Sequence, residues 1–226
     1  MPTLFKIMLA LALGGHLASA GASATASPEQ PSSGVEYATL AATQNTDAGQ
    51  KIEVTEFFAY YCPHCASFEP VLAEWVKKNS DKIVFKRVHL GHTPAVVPQQ
   101  RLYYTLESMG IAPQYHAKVF TAMHEQHQRF GNDEQVFDWA AGAGIDRAAF
   151  TNAYRSFGIQ AKLGRANGMV AAYKVQDWPK IAIAGRYLTS PTQAGSAVTD
   201  ASEAQQQQMA LQVMDHLVAK AAAEKK

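Results

Sequence analysis

The chain has 226 residues, 47% of them hydrophobic, with 20 Lys and Arg against 19 Asp and Glu, a formal charge of +1. That balance excludes the basic excess a nucleic-acid binder uses to neutralise phosphates. The two cysteines are too few for a framework of several disulfides.

The chain opens MPTLFKIMLALALGGHLASAGASA. Lys6 gives a positive start, Ile7 to Leu13 is an apolar run, and Ala18 with Ala20 forms an A-x-A pattern. This is the layout of a secretory signal peptide over 1–20, cleaved near Ala20 or Ala24. The competing reading is a membrane anchor, but a spanning helix needs about 20 apolar residues, and this run is shorter and is broken by His16. No later apolar stretch is long enough to span. Removing 1–20 takes away Lys6 and no acid, so the exported chain is nearly neutral. Residues 21–34 are small and polar and read as a flexible leader. The remaining chain, about 200 residues, suits one domain with an insertion or two small ones.

VEYATL (35–40) is a candidate short strand and TQNTDAGQ (43–50) is turn chemistry. KIEVTEFF (51–58) alternates and then runs apolar, as a central strand does. A helix starts near Cys62, with Phe68, Val71, Leu72, Trp75 and Val76 spaced to bury one face. NSD (79–81) ends it, and the β-branched KIVFKRVHL (82–90) reads as the next strand. Strand, helix, strand implies a right-handed crossover and a parallel pair.

From Gly91 the pattern changes. TPAVVP (93–98) is a linker, with Pro98 suited to a first helical turn. Helical segments follow at about 98–109, 113–127, 133–141 and 146–157, punctuated by Gly110, Pro113, Gly131 and Gly144. With no strand signal here, the spacing predicts an all-helical insertion over 92–163, between parts 35–91 and 164–226 of an α/β domain. A further helix over roughly 159–173 leads back to the sheet. DWPKIAIAGRYLTS (177–190) reads as a hairpin: KIAIA, a turn at Gly185–Arg186, and YLTS. The final helix starts on a Ser202/Gln205 capping box and buries Leu211, Met214, Leu217 and Val218.

The two cysteines sit together in YCPHCA (61–66), at the expected start of the first helix. The first N–H groups of a helix lack intrahelical partners and, with the helix dipole, favour negative charge. Cys62 therefore sits where a thiolate is stabilised. Pro63 is tolerated because its missing N–H is not needed there. His64 adds a positive charge or a hydrogen bond, and Cys65 lies one turn behind, close enough to close a small disulfide. Stabilising the thiolate favours the reduced pair and makes the disulfide an oxidant. Cys62 is then the exposed sulfur that a substrate thiolate attacks, and Cys65 the shielded one.

Three other readings compete. A zinc site needs about four ligands; there is no second cysteine pair, and nothing in the spacing brings His89 and His92, or His124 and His127, nearby. A covalent haem would need His directly after the second cysteine, where Ala66 stands. A structural disulfide across so short a loop constrains little.

The segment TEFFAYYCPHCASFEPVL (55–72) resembles the active-site segment of DsbA-type thiol:disulfide oxidoreductases. The export signal, the helical insertion, the Trp-Pro before a strand and the final helix follow the same order, over about 35–220. The resemblance implies a thioredoxin fold interrupted by a helical domain, and a monomeric periplasmic dithiol oxidase that needs no cofactor. Its partners would be folding secreted proteins with free thiols and a membrane, quinone-linked DsbB-like reoxidase. Low thiol pKa and oxidising potential are carried over from the family.

By the same resemblance Glu56 matches the acid buried beneath the disulfide, able to exchange a proton with Cys65. Its place in an apolar run favours burial over a solvated edge, with Lys86 or Arg87 as a possible partner. Pro179 matches the family's cis-proline facing the cysteines, which exposes the backbone of Trp178 to a substrate strand. Trp178 itself departs from the smaller residue usual there. Tyr60 and Tyr61 either border a peptide groove or divide between core and surface. His116, His124 and His127, among Glu, Gln and Lys, read as a solvated helix face.

The rival enzyme reading is a disulfide isomerase or reductase. It ranks second because related isomerases carry a dimerisation domain ahead of the thioredoxin part. A non-enzymatic peptide- or metal-binding module is the rival from another class.

Overall fold

The structure is a computed structural model that describes residues 30–225. The signal-peptide reading and the leader up to residue 29 lie outside the described residues.

A five-stranded sheet organises the chain in the order β1-β5-β4-β2-β3, from β1 (Ala38–Thr39), β2 (Ile52–Phe58), β3 (Ile83–His89), β4 (Lys180–Ile183) and β5 (Tyr187–Thr189). β2 is the axis. It pairs parallel with β3 and antiparallel with β4, and all seven of its residues are buried. Burial on both faces explains why its sequence runs apolar rather than strictly alternating.

The crossover between β2 and β3 is helix α1 (Pro63–Lys78). Phe68, Leu72 and Trp75 of α1 pack with Val54, Ile181 and Ile183 of the sheet and with α8 (Glu203–Glu224). Val71 and Val76 flank this core half-buried. Trp75 also donates its indole N–H to Asp215 of α8 at 2.8 Å. α8 starts on the expected capping box and buries Met214, Leu217 and Val218, whereas Leu211 stays half-buried because Ala210 and Val213 take the inner face.

Between β3 and β4 every regular element is helical: a short 3-10 turn (Pro94–Val96), α2 (Val97–Ser108), α3 (Ala112–His124), α4 (Asp133–Gly142), α5 (Arg147–Tyr154) and α6 (Phe157–Ala172). Asn132, Asp146 and Ser156 cap α4, α5 and α6 with side-chain hydrogen bonds. The expected α/β architecture with a helical insertion is thus the observed one.

Two local expectations are corrected. The hairpin turn centres on Ala184–Gly185, not Gly185–Arg186: both have positive φ (54° and 66°), and Arg186 N–H closes the turn onto the Ile183 carbonyl. A type I′ turn requires that pair of left-handed residues, and a Cβ at Gly185 would collide with the Gln44 carbonyl. The second concerns α3, which ends at His124, so His127 lies beyond it in the left-handed region (φ 55°). The short helix α7 (Pro191–Ala194) has no counterpart in the sequence reading.

Candidate active site

The C-terminal end of β2 delivers Cys62 to the tip of α1. Cys62 is the N-cap, with extended backbone (φ −81°, ψ 118°), and Pro63 follows as the first helical residue. Both cysteines are free thiols. The Cys65 N–H donates to Cys62 Sγ at 3.4 Å, the bond an N-cap side chain makes. The Cys62 thiol in turn donates to the Trp178 carbonyl at 3.7 Å.

Their environments set the two sulfurs apart. Cys62 is lowered to about 6, chiefly by a hydrogen bond from the Cys65 thiol, which with the Cys65 and His64 N–H groups and the His64 charge outweighs burial. Burial pushes Cys65 far above the ordinary thiol range, and donating to Cys62 holds its proton further. Cys62 is less open than the exposed sulfur expected: it is 5% exposed against 0% for Cys65. The Trp178 carbonyl beside its sulfur is one reason.

His64 extends outward, and its Nδ1 lies 2.9 Å from Glu203 at the start of α8. Glu203 also accepts from Ser67 Oγ at 2.6 Å. The hydrogen bond to Glu203 raises the imidazole's pKa.

Beneath the sulfurs Glu56 is 1% exposed. Burial pushes it up to about 7, with Arg87 opposing and Glu69 adding to the shift. The parallel register sets Glu56 beside Arg87, whose Nε donates to Glu56 Oε2 at 2.9 Å. The choice between Lys86 and Arg87 therefore resolves to Arg87; Lys86 pairs with Glu53 at 2.6 Å instead. Arg87 also bonds both oxygens of Glu69 at 2.8 Å.

Trp178–Pro179 is a cis peptide bond. The Trp178 ring is half-buried, 6.2 Å from Tyr61 and 5.1 Å from His92 between ring centres. Tyr61 and Trp178 therefore border Cys62 on the surface, with His92 beside them, while Tyr60 turns inward and is 0% exposed.

Three histidines hold Tyr60. His89 Nε2 accepts its N–H at 3.1 Å, His124 Nε2 donates to its carbonyl at 2.7 Å, and His116 Nδ1 lies 2.9 Å from its hydroxyl. This corrects the solvated-face reading: His116 is 4% exposed and His124 half-buried, and only His127 is exposed. The missed signal was spacing. His116 falls one turn before Phe120, on the face that also buries Tyr115 and Val119. Glu69 was missed similarly, sitting beside Phe68 on the inner face of α1. Glu203 carried no signal, because only the docking of α8 brings it to His64. Among the described residues no three His, Cys, Asp or Glu side chains converge as a metal site, and no helix is long and apolar enough to cross a membrane.

The profile of the DSBA-like thioredoxin domain family matches residues 53–212. The chain is 37% identical to the thiol:disulfide interchange protein DsbA of Bordetella parapertussis over 183 residues, 81% of this chain and 83% of that one. It is 35% identical to the protein of the same description from Bordetella pertussis over 216 residues, 96% of each. The crystal structure of Pseudomonas aeruginosa DsbA superposes with a TM-score of 0.77 at 32% identity, covering 85% of this chain and 96% of that one.

Proposed function

The chain belongs to the DSBA-like thioredoxin-domain family and is an oxidoreductase of protein thiols, and on that premise we propose that it is an exported periplasmic dithiol oxidase. It gives the Cys62–Cys65 disulfide to secreted proteins as they fold. The observation that carries this reading is the contrast between the sulfurs: Cys62 caps the tip of α1 and accepts the Cys65 N–H at 3.4 Å, whereas Cys65 behind it is fully buried, which lowers the first thiol and raises the second.

A substrate thiolate attacks Cys62 Sγ. The Cys62–Cys65 bond breaks, a mixed disulfide forms, and the Cys65 sulfur leaves with the electron pair. Burial makes a Cys65 thiolate costly, so a proton must reach it. Glu56, up to about 7, holds one near neutrality and takes that role. A second substrate thiolate then attacks the substrate sulfur of the mixed disulfide. Cys62 departs as a thiolate, stabilised by the Cys65 and His64 N–H groups and the His64 charge. The substrate gains a disulfide and the enzyme is left as a dithiol. The side chains of Trp178 and Tyr61, and the Trp178 backbone beside Pro179, form the surface on which the substrate chain lies. A membrane, quinone-linked DsbB-like partner reoxidises the pair, and the enzyme acts as a monomer.

The test is the equilibrium of the pair with glutathione. An oxidase should show a potential above the roughly −180 mV of protein disulfide isomerase. A value near the roughly −270 mV of thioredoxin would overturn the oxidase reading in favour of a reductase.

A further inference from the structure

Two carboxylates, Glu56 and Glu69, meet one guanidinium, Arg87; both acids are buried, and the Arg87 side chain is 20% exposed. One fixed cation can neutralise one of them, so the other keeps a proton near neutral pH. The acids differ in what else holds them. Glu56 has the Arg87 Nε at 2.9 Å, whereas Glu69 has Arg87 Nη2 on both oxygens and His116 Nε2 at 3.3 Å.

The imidazole is fixed in a direction that suits donation. Tyr60 Oη lies 2.9 Å from its Nδ1, and the tautomer in which Tyr60 donates puts the imidazole proton on Nε2, 3.3 Å from Glu69. The rings of Phe58 and Phe120, each centred 5.1 Å away, wall it in. The titratable and charged groups facing His116 are Glu69 of α1, Tyr60, Arg87 and His89 at the end of β3, and Tyr103 of α2. Glu69 is the one carboxylate among them.

We infer that His116 is a positioning residue for the thiol chemistry: its buried Nε2, which has no hydrogen-bond partner among the described residues and lies 3.3 Å from Glu69, keeps that carboxylate charged against Arg87 and leaves the shared proton on Glu56, beneath the cysteines. Burial alone would raise both acids. Glu69 is nevertheless lowered, because Arg87 and the close His116 Nε2 outweigh burial. The imidazole thus acts on Cys65 at second hand, by deciding which acid can protonate it. Its catalytic consequence rests on the proposed role of Glu56, but the place of the proton is a property of the reduced protein however its thiols are used.

Infrared difference spectra of the reduced protein against its Glu56→Gln variant, taken across pH, give the midpoint at which Glu56 loses its proton. Glu69→Gln frees Arg87 for Glu56 and should lower that midpoint by about one pH unit or more. His116→Phe keeps a ring between Phe58 and Phe120 but no donor, and should lower it too; His116→Leu replaces it if it fails to fold. His116→Gln, whose amide can still donate, should stay near wild type. A folded donor-free variant whose midpoint is unmoved or raised, even with reduced thermal stability, would overturn the inference, because His116 would then be only a packing residue. The glutathione potential is read separately, so failure of the oxidase reading and failure of this one are distinguishable.

Discussion

The backbone N–H of Cys65 points at Sγ of Cys62, 3.4 Å away, and the neighbouring Cys65 thiol favours a charged Cys62. One residue thus supplies two of the groups that stabilise its neighbour's thiolate, and the side chain is the largest cause of the shift to about 6. Cys65→Ala removes that thiol and leaves the backbone bond. The Cys62 midpoint, followed by ultraviolet thiolate absorbance, should rise by about one pH unit, the scale of one lost hydrogen bond to a charged group. The variant should also accumulate mixed disulfides with a reduced peptide, whereas Cys62→Ser forms none. An unshifted Cys62 midpoint, or equal residual turnover in both variants, would count against the assigned roles.

Glu56 makes stability depend on pH with a definite sign. Its carboxyl is raised from 4.5 to about 7 in the folded state. The folded protein therefore holds a proton that the unfolded chain releases between those values, so the Glu56 contribution to stability is greatest below 4.5 and declines up to about 7. The loss is about 3 kcal/mol at most, at about 1.4 kcal/mol per unit. Cys62 acts oppositely: lowered from 9 to about 6, it adds stability as pH rises through that window, but only in the dithiol form. In the disulfide form Cys62 no longer titrates, but His89, held down to about 3 by burial, adds stability as pH rises through the same window. The Glu56 part is therefore the difference in urea stability between wild type and Glu56→Gln, which should fall between pH 4.5 and 7. The same variant should change the pH profile of exchange. A difference between wild type and variant that does not change with pH would remove Glu56 from the pH dependence.

Much of this was legible in the chain because local signals agreed. Strand β2 reads as central because KIEVTEFF alternates and then runs apolar, and α1 reads as a helix starting near Cys62 because Phe68, Val71, Leu72, Trp75 and Val76 share one face and Pro63 suits the first turn. Glu56 stood out as an acid inside an apolar run. Exposure was less legible: the slight opening of Cys62 depends on Trp178, which is 116 residues away. His116 fails for a different reason. Gln114 and Lys118, two residues to either side, are polar and obscured its spacing with Tyr115, Val119 and Phe120, while its contacts with Tyr60 and Glu69 come only from the fold. Periodicity reports which face is buried, not which acid a buried imidazole meets.

The contact between Glu203 and His64 joins the motif to the last helix across a sequence gap of 139 residues. Glu203→Gln should lower the His64 pKa, read by proton NMR, because the hydrogen bond that raises it is weakened and the partner's charge is gone. Since the His64 charge helps lower Cys62, the thiol midpoint should rise in the same variant, by less than in Cys65→Ala. Both side chains are largely in water, so added salt should shrink both effects. An unmoved His64 titration would mean that the contact does not persist in solution.

The Trp178 ring and carbonyl do separate jobs. The carbonyl faces Cys62 Sγ at 3.7 Å, whereas the ring lies against Tyr61 and His92 along the exposed side of the site. On the proposed function the substrate chain lies along this ring, and an aromatic face there would favour apolar or aromatic neighbours of the substrate cysteine. Such a contact is worth about 1 kcal/mol beyond the area it buries. Trp178→Ala keeps the carbonyl and removes the ring. It should raise KM for a peptide with an aromatic residue beside its cysteine by about tenfold, with less effect on a glycine-flanked peptide. The Cys62 midpoint should stay near 6, because the groups that lower it lie on α1. A fall in kcat at constant KM would instead place the ring in the chemistry, and equal losses for both peptides would remove it from substrate selection.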